Sequence, residues 1–261
     1  MNQTSNRRLS KWAARSQNEF VSACEQTMRR LLIRPGAIGD VILSLPALES
    51  ARADYTEVWA PRATLPLIRF ADKTRAIADT GLDLIGITEN AKCPALETFD
   101  EIYSWYGTAR PEFREAVAYL PFTFFPAQSL PKIPPRILVP PSPRQDFAII
   151  HPYSSSPKKN WPLENFQAVA SQLNKVEWCE PGRIDDLYEL ACWISTASLY
   201  IGNDSGISHL AAAVGTPVIA IFVSTDPRIW APRGERVIVL ENPSVDQVLR
   251  ASAQHQVLKH A

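Results

Sequence analysis

From residue 31 onward the chain alternates short, unbroken apolar runs with longer stretches whose apolar positions recur at helical spacing. The short runs are bounded by Gly, Pro, Asp and Ser, a pattern that reads as strands emptying into turns and helices. It predicts strands at 31–34, 56–60, 84–87, 100–104, 147–151, 175–179, 198–202, 217–223 and 236–240. Strand and helix in regular alternation build parallel sheets of βα units rather than an all-β or all-α fold. Near the C-terminus, Val245, Val248 and Leu249 fall on one helical face behind Ser244, a suitable N-cap.

The alternation breaks once. Pro126, Pro131, Pro134, Pro135, Pro140, Pro141 and Pro143 crowd a stretch that cannot be helical, because each proline removes a backbone donor and fixes φ. This stretch, 126–143, reads as a linker, after which FAIIHPYSSS restarts the strand pattern. The expected organisation is therefore a basic N-terminal arm at 1–30, a first Rossmann-like unit at 31–145 that includes the linker, and a second at 146–261.

Composition narrows the function classes. With 261 residues, 46% of them apolar, the chain can build two small α/β cores. Its formal net charge of +0 argues against a general nucleic-acid binder, whose affinity comes from many clustered Lys and Arg contacts. Cys24, Cys93, Cys179 and Cys192 have no CxxC spacing and no nearby histidine cluster, which fits reduced thiols in a cytoplasmic protein rather than a zinc site. No stretch has the apolar length of a membrane span, and the N-terminus lacks an apolar signal core. The arm carries Arg7, Arg8, Lys11, Arg15, Arg29 and Arg30 against Glu19 and Glu25. Two readings of it stand side by side: an amphipathic helix on an anionic membrane surface, or a solvated helix or tail.

The candidate chemistry gathers at strand ends. RPGAIGDV at 34–41 and GNDSGISHL at 202–210 each join a strand to a helix through glycines. A helix N-terminus beside glycine leaves backbone N–H groups free for phosphate. Gly36 and Gly39 permit a tight turn, and Asp40 stands where the helix begins. Asp40 has two readings, an N-cap or a general base within reach of an acceptor hydroxyl. Ser154, Ser155 and Lys159 follow the strand ending at His151, where ligands of open parallel sheets bind. Asp204, Ser205, Gly206 and His209 form the second turn, and Thr225 and Asp226 follow a further strand. The turns match neither a P-loop nor GxGxxG.

These segments resemble glycosyltransferase family 9, the ADP-heptose:lipopolysaccharide heptosyltransferases. The resemblance rests on LLIRPGAIGDVILSLPAL, HPYSSSPKKNWPLENF and YIGNDSGISHLAAAVGTPVIAIFVSTDP, in that order, about a quarter of the chain. It implies the GT-B fold, two Rossmann-like domains facing each other across a cleft. It also implies inverting, metal-independent transfer of a heptose-like sugar from an ADP-sugar to a lipopolysaccharide-core or other glycan acceptor, or a lipid-linked one, with no cofactor. Asp40 matches the family's catalytic base; Ser154, Ser155 and Lys159 match positions that bind the donor diphosphate. Asp204, Ser205, Gly206 and His209 match the motif holding the phosphates and donor sugar. The expected location is the cytoplasm, with peripheral contact at the inner membrane face as a role for the arm.

The chain departs from the family in two places. Between the lysine and DSG motifs it has only NKVEWCEPGRIDDLYELACWIS, shorter than usual where the family contacts the nucleoside. Glu180 there is open to two readings, a ribose contact or a loop former beside Pro181 and Gly182. Val223 and Ser224 stand where Gly-Pro commonly precedes TDP. Two alternatives follow: a sugar-nucleotide-binding protein without turnover, and a nucleotide-sugar epimerase or hydrolase of the same architecture.

Overall fold

Two parallel sheets with helices between and around them make up the computed structural model, which describes residues 27–88, 91–127 and 129–257. In chain order the first half contains β1 (Arg29–Ile33), α1 (Ile38–Ser50), β2 (Tyr55–Ala60), β3 (Lys73–Ala76), β4 (Glu101–Ser104), α2 (Pro111–Ala116) and β5 (Phe122–Phe124). The second contains β6 (Gln145–His151), α3 (Leu163–Ala170), β7 (Val176–Trp178), α4 (Leu187–Ser195), β8 (Ala197–Asn203), α5 (Gly206–Ala213), β9 (Val218–Phe222), α6 (Pro227–Trp230), β10 (Val237–Glu241) and α7 (Val245–Val257). The sheet orders are β3-β2-β1-β4-β5 and β10-β9-β8-β6-β7, with every neighbouring pair parallel.

The central strands are the unbroken apolar runs. Leu31, Leu32 and Ile33 of β1, and Ile149 and Ile150 of β6, are all fully buried, as expected for strands covered on both faces. Each sheet reverses its strand order beside its first strand, between β1 and β4 and between β6 and β8. Crevices open at such reversals, outside the carboxyl ends of the strands. RPGAIGD leaves β1, and the lysine loop and DSG turn leave β6 and β8, so both reversals lie where the candidate chemistry is.

Some predicted elements fall elsewhere. Residues 84–87 are not a strand: a short 3-10 turn covers Leu82–Leu84, flanked by Gly81 at φ +69° and Gly86 at φ +77°. Left-handed backbone at both ends cannot continue a strand, and a Cβ on Gly86 would meet the backbone at Glu112 at 2.7 Å. The edge strands β3 and β5 are not predicted. β3 is polar and β5 is three residues long, so neither offers a buried periodic face. The stretch 126–143 has no helix or strand among its described residues, as its prolines require. Ser244 does precede α7, with its Oγ accepting the Gln247 N–H at 3.3 Å while Gln247 Oε1 accepts the Ser244 N–H at 2.7 Å.

The arm's residues 1–26, and with them the membrane-helix reading, lie outside the described residues. Arg29 and Arg30, counted above with the arm, belong to β1 instead. Arg30 Nε donates to Glu101 Oε2 at 2.7 Å and Arg30 Nη1 to the Ala51 carbonyl at 2.7 Å, while the Arg29 guanidinium lies 4.2 Å from the Tyr55 ring centre. Their charges are thus spent on sheet neighbours.

A single apolar cluster runs from the first half into the second, from Leu32, Val41 and Ile42 to Ile149, Leu210 and Ala211. At its centre α1 packs on α5. A Cβ on Gly206 would lie 2.6 Å from the Ile38 Cβ, so the start of α5 lies against the start of α1. The other crossing contacts are lighter: the Ile137 N–H donates to the Ala213 carbonyl at 3.0 Å, and the Arg69 guanidinium stands 4.3 Å from the Tyr188 ring centre.

Candidate active site

Between β1 and α1 the chain turns at Gly36, whose φ is +121°. A Cβ there would lie 2.8 Å from Asp40 Oδ2, so glycine lets the carboxylate fold back over the turn. The helix cap is Ala37, which has no side-chain acceptor, and Asp40 in the first turn takes up that work: its Oδ2 accepts the Ala37 N–H at 2.8 Å. Asp40 is therefore not the N-cap that one reading of the sequence made it. One carboxylate oxygen is anchored and Oδ1 has no donor among the described residues.

In the second turn Ser205 caps α5, accepting the Ser208 N–H at 3.4 Å. Asp204, 5% exposed, forms an ion pair with Lys159, Nζ to Oδ2 at 2.9 Å, and the same oxygen accepts the Thr225 hydroxyl at 2.7 Å. Buried Asn203 ties the lysine loop to the end of β8, with Oδ1 accepting the Trp161 N–H at 2.9 Å and Nδ2 donating to the Pro152 carbonyl at 2.7 Å. That strut holds Lys159, on its single 3-10 turn Pro157–Lys159, over Asp204.

His209 closes the floor between the halves. It is 5% exposed, a Cβ on Gly39 would stand 3.0 Å from its Cδ2, and its Nδ1 has no partner. Burial pushes its pKa down to about 4, against the opposing pull of the Asp204 and Asp40 carboxylates, so the ring is neutral at pH 7. The unfolded chain binds this proton near pH 6.5 and the folded chain only near 4. The stability is thus fully present above 6.5 and lost as the pH falls from 6.5 to about 4, by on the order of 3 kcal/mol. Chemical denaturation across that range checks this. His209→Gln should flatten the acid slope; an unchanged slope would assign it to other groups, among them His151, whose pKa burial also lowers.

Two cavities meet here. One, of about 220 Å³, is lined by Gly39, Asp40, Ser155, Lys159, Asp204, Ser205, Gly206 and His209 together with Trp230. The other, of about 490 Å³, is lined by Arg34, Gly36, Asp40, Arg228, Trp230 and Arg233, with part of the proline-rich linker. Asp40 and Trp230 belong to both walls. The smaller cavity sets the Lys159 ammonium, paired with Asp204, a neutral imidazole and the starts of two helices beside the Asp40 carboxylate, so its groups for an anion are the lysine and the helix N-termini.

Three residues singled out in the sequence do not line either cavity. Ser154 turns inward, its Oγ 2.7 Å from Asn160 Oδ1 and 2.8 Å from the Ser156 carbonyl. Thr225 acts behind Asp204. Asp226 caps α6, accepting the Arg228 N–H at 2.9 Å, and its carboxylate pairs with the Arg228 guanidinium at 2.7 Å. Glu180 is exposed in a turn, its carbonyl accepting the Arg183 N–H at 3.2 Å, which fits the loop-forming reading. Conversely, Arg34, Trp230 and Arg233 line a cavity and were not singled out. Arg34 did carry a signal, a cation directly after the apolar run of β1. It is 2% exposed, its Nε donating to Ser44 Oγ at 2.6 Å and its Nη1 to the Pro35 carbonyl at 2.7 Å.

Comparison with known proteins agrees with this geometry. Residues 183–257 match the profile of the family described as glycosyltransferase family 9 (heptosyltransferase). A stretch of 50 residues is 50% identical to lipopolysaccharide heptosyltransferase 3 of Escherichia coli (strain K12), covering 19% of this chain and 14% of that protein. A second Escherichia coli lipopolysaccharide heptosyltransferase 3 is 46% identical over 50 residues, 15% of its length. The similarity to these curated relatives thus spans well under a fifth of each. The fold is shared more widely. The E. coli ADP-heptose lps heptosyltransferase II structure superposes with a TM-score of 0.68 at 16% identity, over 90% of this chain and 100% of that one. A glycosyl transferase family 9 structure from Veillonella parvula DSM 2008 gives 0.62 at 16% identity, over 88% and 97%. The E. coli heptosyltransferase WaaC structure with ADP gives 0.57 at 16% identity, over 89% and 99%. The two facing parallel-sheet units are a GT-B fold, and residues 183–257 match the sequence profile of glycosyltransferase family 9 (heptosyltransferase).

Proposed function

We propose that this protein is an inverting, metal-independent glycosyltransferase that moves a heptose-like sugar from an ADP-sugar to a glycan acceptor such as a lipopolysaccharide core. One observation carries the reading: the half-anchored carboxylate of Asp40 stands in the wall between two cavities, one of which holds Lys159 and two helix N-termini. On this reading the donor diphosphate and sugar occupy the smaller cavity and the acceptor enters through the larger. Asp40 Oδ1 takes the proton of the acceptor hydroxyl, whose oxygen forms the new bond to the anomeric carbon as the bond to the diphosphate oxygen breaks. Attack from the side opposite the leaving group inverts the anomeric centre. The charge arriving on the nucleoside diphosphate meets Lys159 and the N–H groups at the start of α5, with no divalent ion called upon.

ADP as the nucleotide is supported by the heptosyltransferase fold relatives solved with ADP and with ADP-2-deoxy-2-fluoro heptose. The family signature supports a heptose-like sugar, and the 50-residue match to lipopolysaccharide heptosyltransferase 3 supports a lipopolysaccharide-type acceptor. No described helix is long and apolar enough to cross a membrane. On this reading a lipid-linked acceptor is met by peripheral contact at the inner membrane face.

Calorimetric titration with ADP, UDP and GDP in EDTA tests the reading. ADP preference without metal supports it; absence of binding by all three removes the donor site. Lys159→Ala should weaken ADP binding by about tenfold or more, the loss expected when a charge-assisted contact to phosphate is removed. Unchanged affinity would leave Lys159 only its pairing with Asp204.

A further inference from the structure

The linker between the two units carries charge of one sign. From 126 to 145 its charged residues are Lys132, Arg136 and Arg144, with no acidic one, in a chain whose formal net charge is +0. Pro135 and Ile137 are buried while Arg136 and Leu138 are exposed, the alternation of an extended segment. The buried side is tied to the second unit. The Ile137 N–H donates to the Ala213 carbonyl at 3.0 Å, the Tyr188 hydroxyl to the Leu138 carbonyl at 3.2 Å and Arg144 Nη2 to the Gly215 carbonyl at 2.6 Å. The outer side is not wholly polar: Ile133 is 64% exposed and Leu138 84%. Both border a cavity of about 440 Å³ that Arg136, Gly215 and Arg236 also line. Glu235 is the acidic residue of that lining, and it pairs with Arg136 at 3.3 Å, both side chains exposed. The next carboxylate along the chain, Asp146, lines a separate cavity beside α7. Lys132, Arg136, Arg144 and Arg236 thus stand against Glu235 on this face.

We infer that this linker ridge, with Arg236 beside it, is a membrane-contact surface on which Ile133 and Leu138 enter the interfacial layer of an anionic bilayer and the basic side chains meet its phosphate headgroups. A single exposed leucine calls for no explanation, but two large apolar side chains set among cations have the make-up of an interfacial anchor. Charge and apolarity together select the occupant. A neutral partner would leave the cations uncompensated, and an acidic one without an apolar layer would leave Ile133 and Leu138 in water; a bilayer containing anionic lipid covers both. The prolines fix φ along the ridge, so little backbone freedom is lost on docking. The ridge's place in the fold gives the contact a role. The same linker reaches the wall of the larger active-site cavity through Ala127 and Leu130, so a bilayer held on the ridge brings a lipid-linked acceptor to that cavity. This role rests on the glycosyltransfer reading above, whereas the surface stands on its own residues.

The test uses the full chain with vesicles of phosphatidylcholine alone or of phosphatidylcholine mixed with phosphatidylglycerol. Co-sedimentation reads binding, and amide hydrogen exchange locates it. The chain should bind the mixed vesicles at least about tenfold more tightly than the neutral ones, less so in high salt, with exchange slowed at Ile133, Arg136 and Leu138. Ile133→Ser with Leu138→Ser, and separately Lys132→Gln with Arg136→Gln, should each weaken binding to the mixed vesicles by about tenfold. Melting and ADP affinity should stay at wild type, because these side chains are exposed and line neither active-site cavity. Binding that survives both double variants, with exchange slowed only in residues 1–26, assigns the contact to the arm and overturns the inference. Equal binding to both vesicles, or binding to neither, overturns it as well. Linker protection that follows protein concentration rather than vesicles points to a second copy and does the same. ADP calorimetry needs no membrane, so failure to bind ADP removes the glycosyltransfer reading alone, and failure to bind vesicles removes the ridge alone.

Discussion

Asp40→Asn should bind ADP as the wild type does and transfer sugar about a hundred- to ten-thousandfold more slowly, the range expected when a general base is lost. Asparagine keeps the shape of the side chain and an oxygen to accept the Ala37 N–H, so the turn over Gly36 stays closed. What it loses is the capacity to take a proton at the atom facing the cavities. The measurement is a pair: calorimetry with ADP, and turnover with an ADP-sugar donor and a glycan acceptor. Retained turnover would take the base role from Asp40. Loss of both turnover and ADP binding would show that the carboxylate is needed to hold the turn, because the start of α1 also lines the smaller cavity.

Gly206→Ala should lower stability by about 1–3 kcal/mol, the usual cost of forcing extra volume into a packed contact. The added methyl would lie 2.6 Å from the Ile38 Cβ and 3.2 Å from the Gly39 amide nitrogen, and neither is the free end of a flexible side chain. The two helix N-termini must then separate, and because one carries Asp40 and both line the smaller cavity, transfer should fall more than stability does under the proposed mechanism. Misplacement on the order of 1 Å at a reacting centre can cost about a hundredfold in rate. Thermal unfolding and turnover read the two effects separately. Ile38→Ala in the Gly206→Ala background makes room for the new methyl and should restore part of both, a non-additivity expected only for residues in contact. A Gly206→Ala chain with wild-type melting and turnover would mean that α1 and α5 are not packed this closely in solution.

Much of this architecture was legible along the chain, and the reason is physical. A strand buried on both faces must be apolar at every position, so β1, β6, β8 and β9 stand out as unbroken runs whatever surrounds them. Prolines without amide hydrogens exclude helix locally, which marks 126–143 without reference to anything distant. The two glycine turns were equally visible, because strand, glycine and helix follow one another directly in sequence. The run at 84–87 shows the limit of such reading. It is apolar enough for a strand, but Gly81 and Gly86 adopt left-handed backbone, and at Gly86 that conformation brings the chain against α2 from a distant segment.

Roles within the site depended on contacts between segments. Asp40, Lys159, Asp204 and His209 could be named from motifs, but only the folded chain pairs Lys159 with Asp204, caps α5 with Ser205 and turns Ser154 away from the cavity. Trp230 and Arg233 carry no motif, and Arg34 stands in one without a role read for it. They become neighbours because β1, the linker and α6 converge at the mouth of the cleft, across about two hundred residues of sequence. The sequence alone determined the central buried strands and the absence of helix in 126–143, since these follow from burial and backbone chemistry within a few residues. The tertiary structure alone decided which charges are neutralised and which remain facing an open cavity, because neutralisation depends on distance in space, and that distance exists only after the two halves have packed.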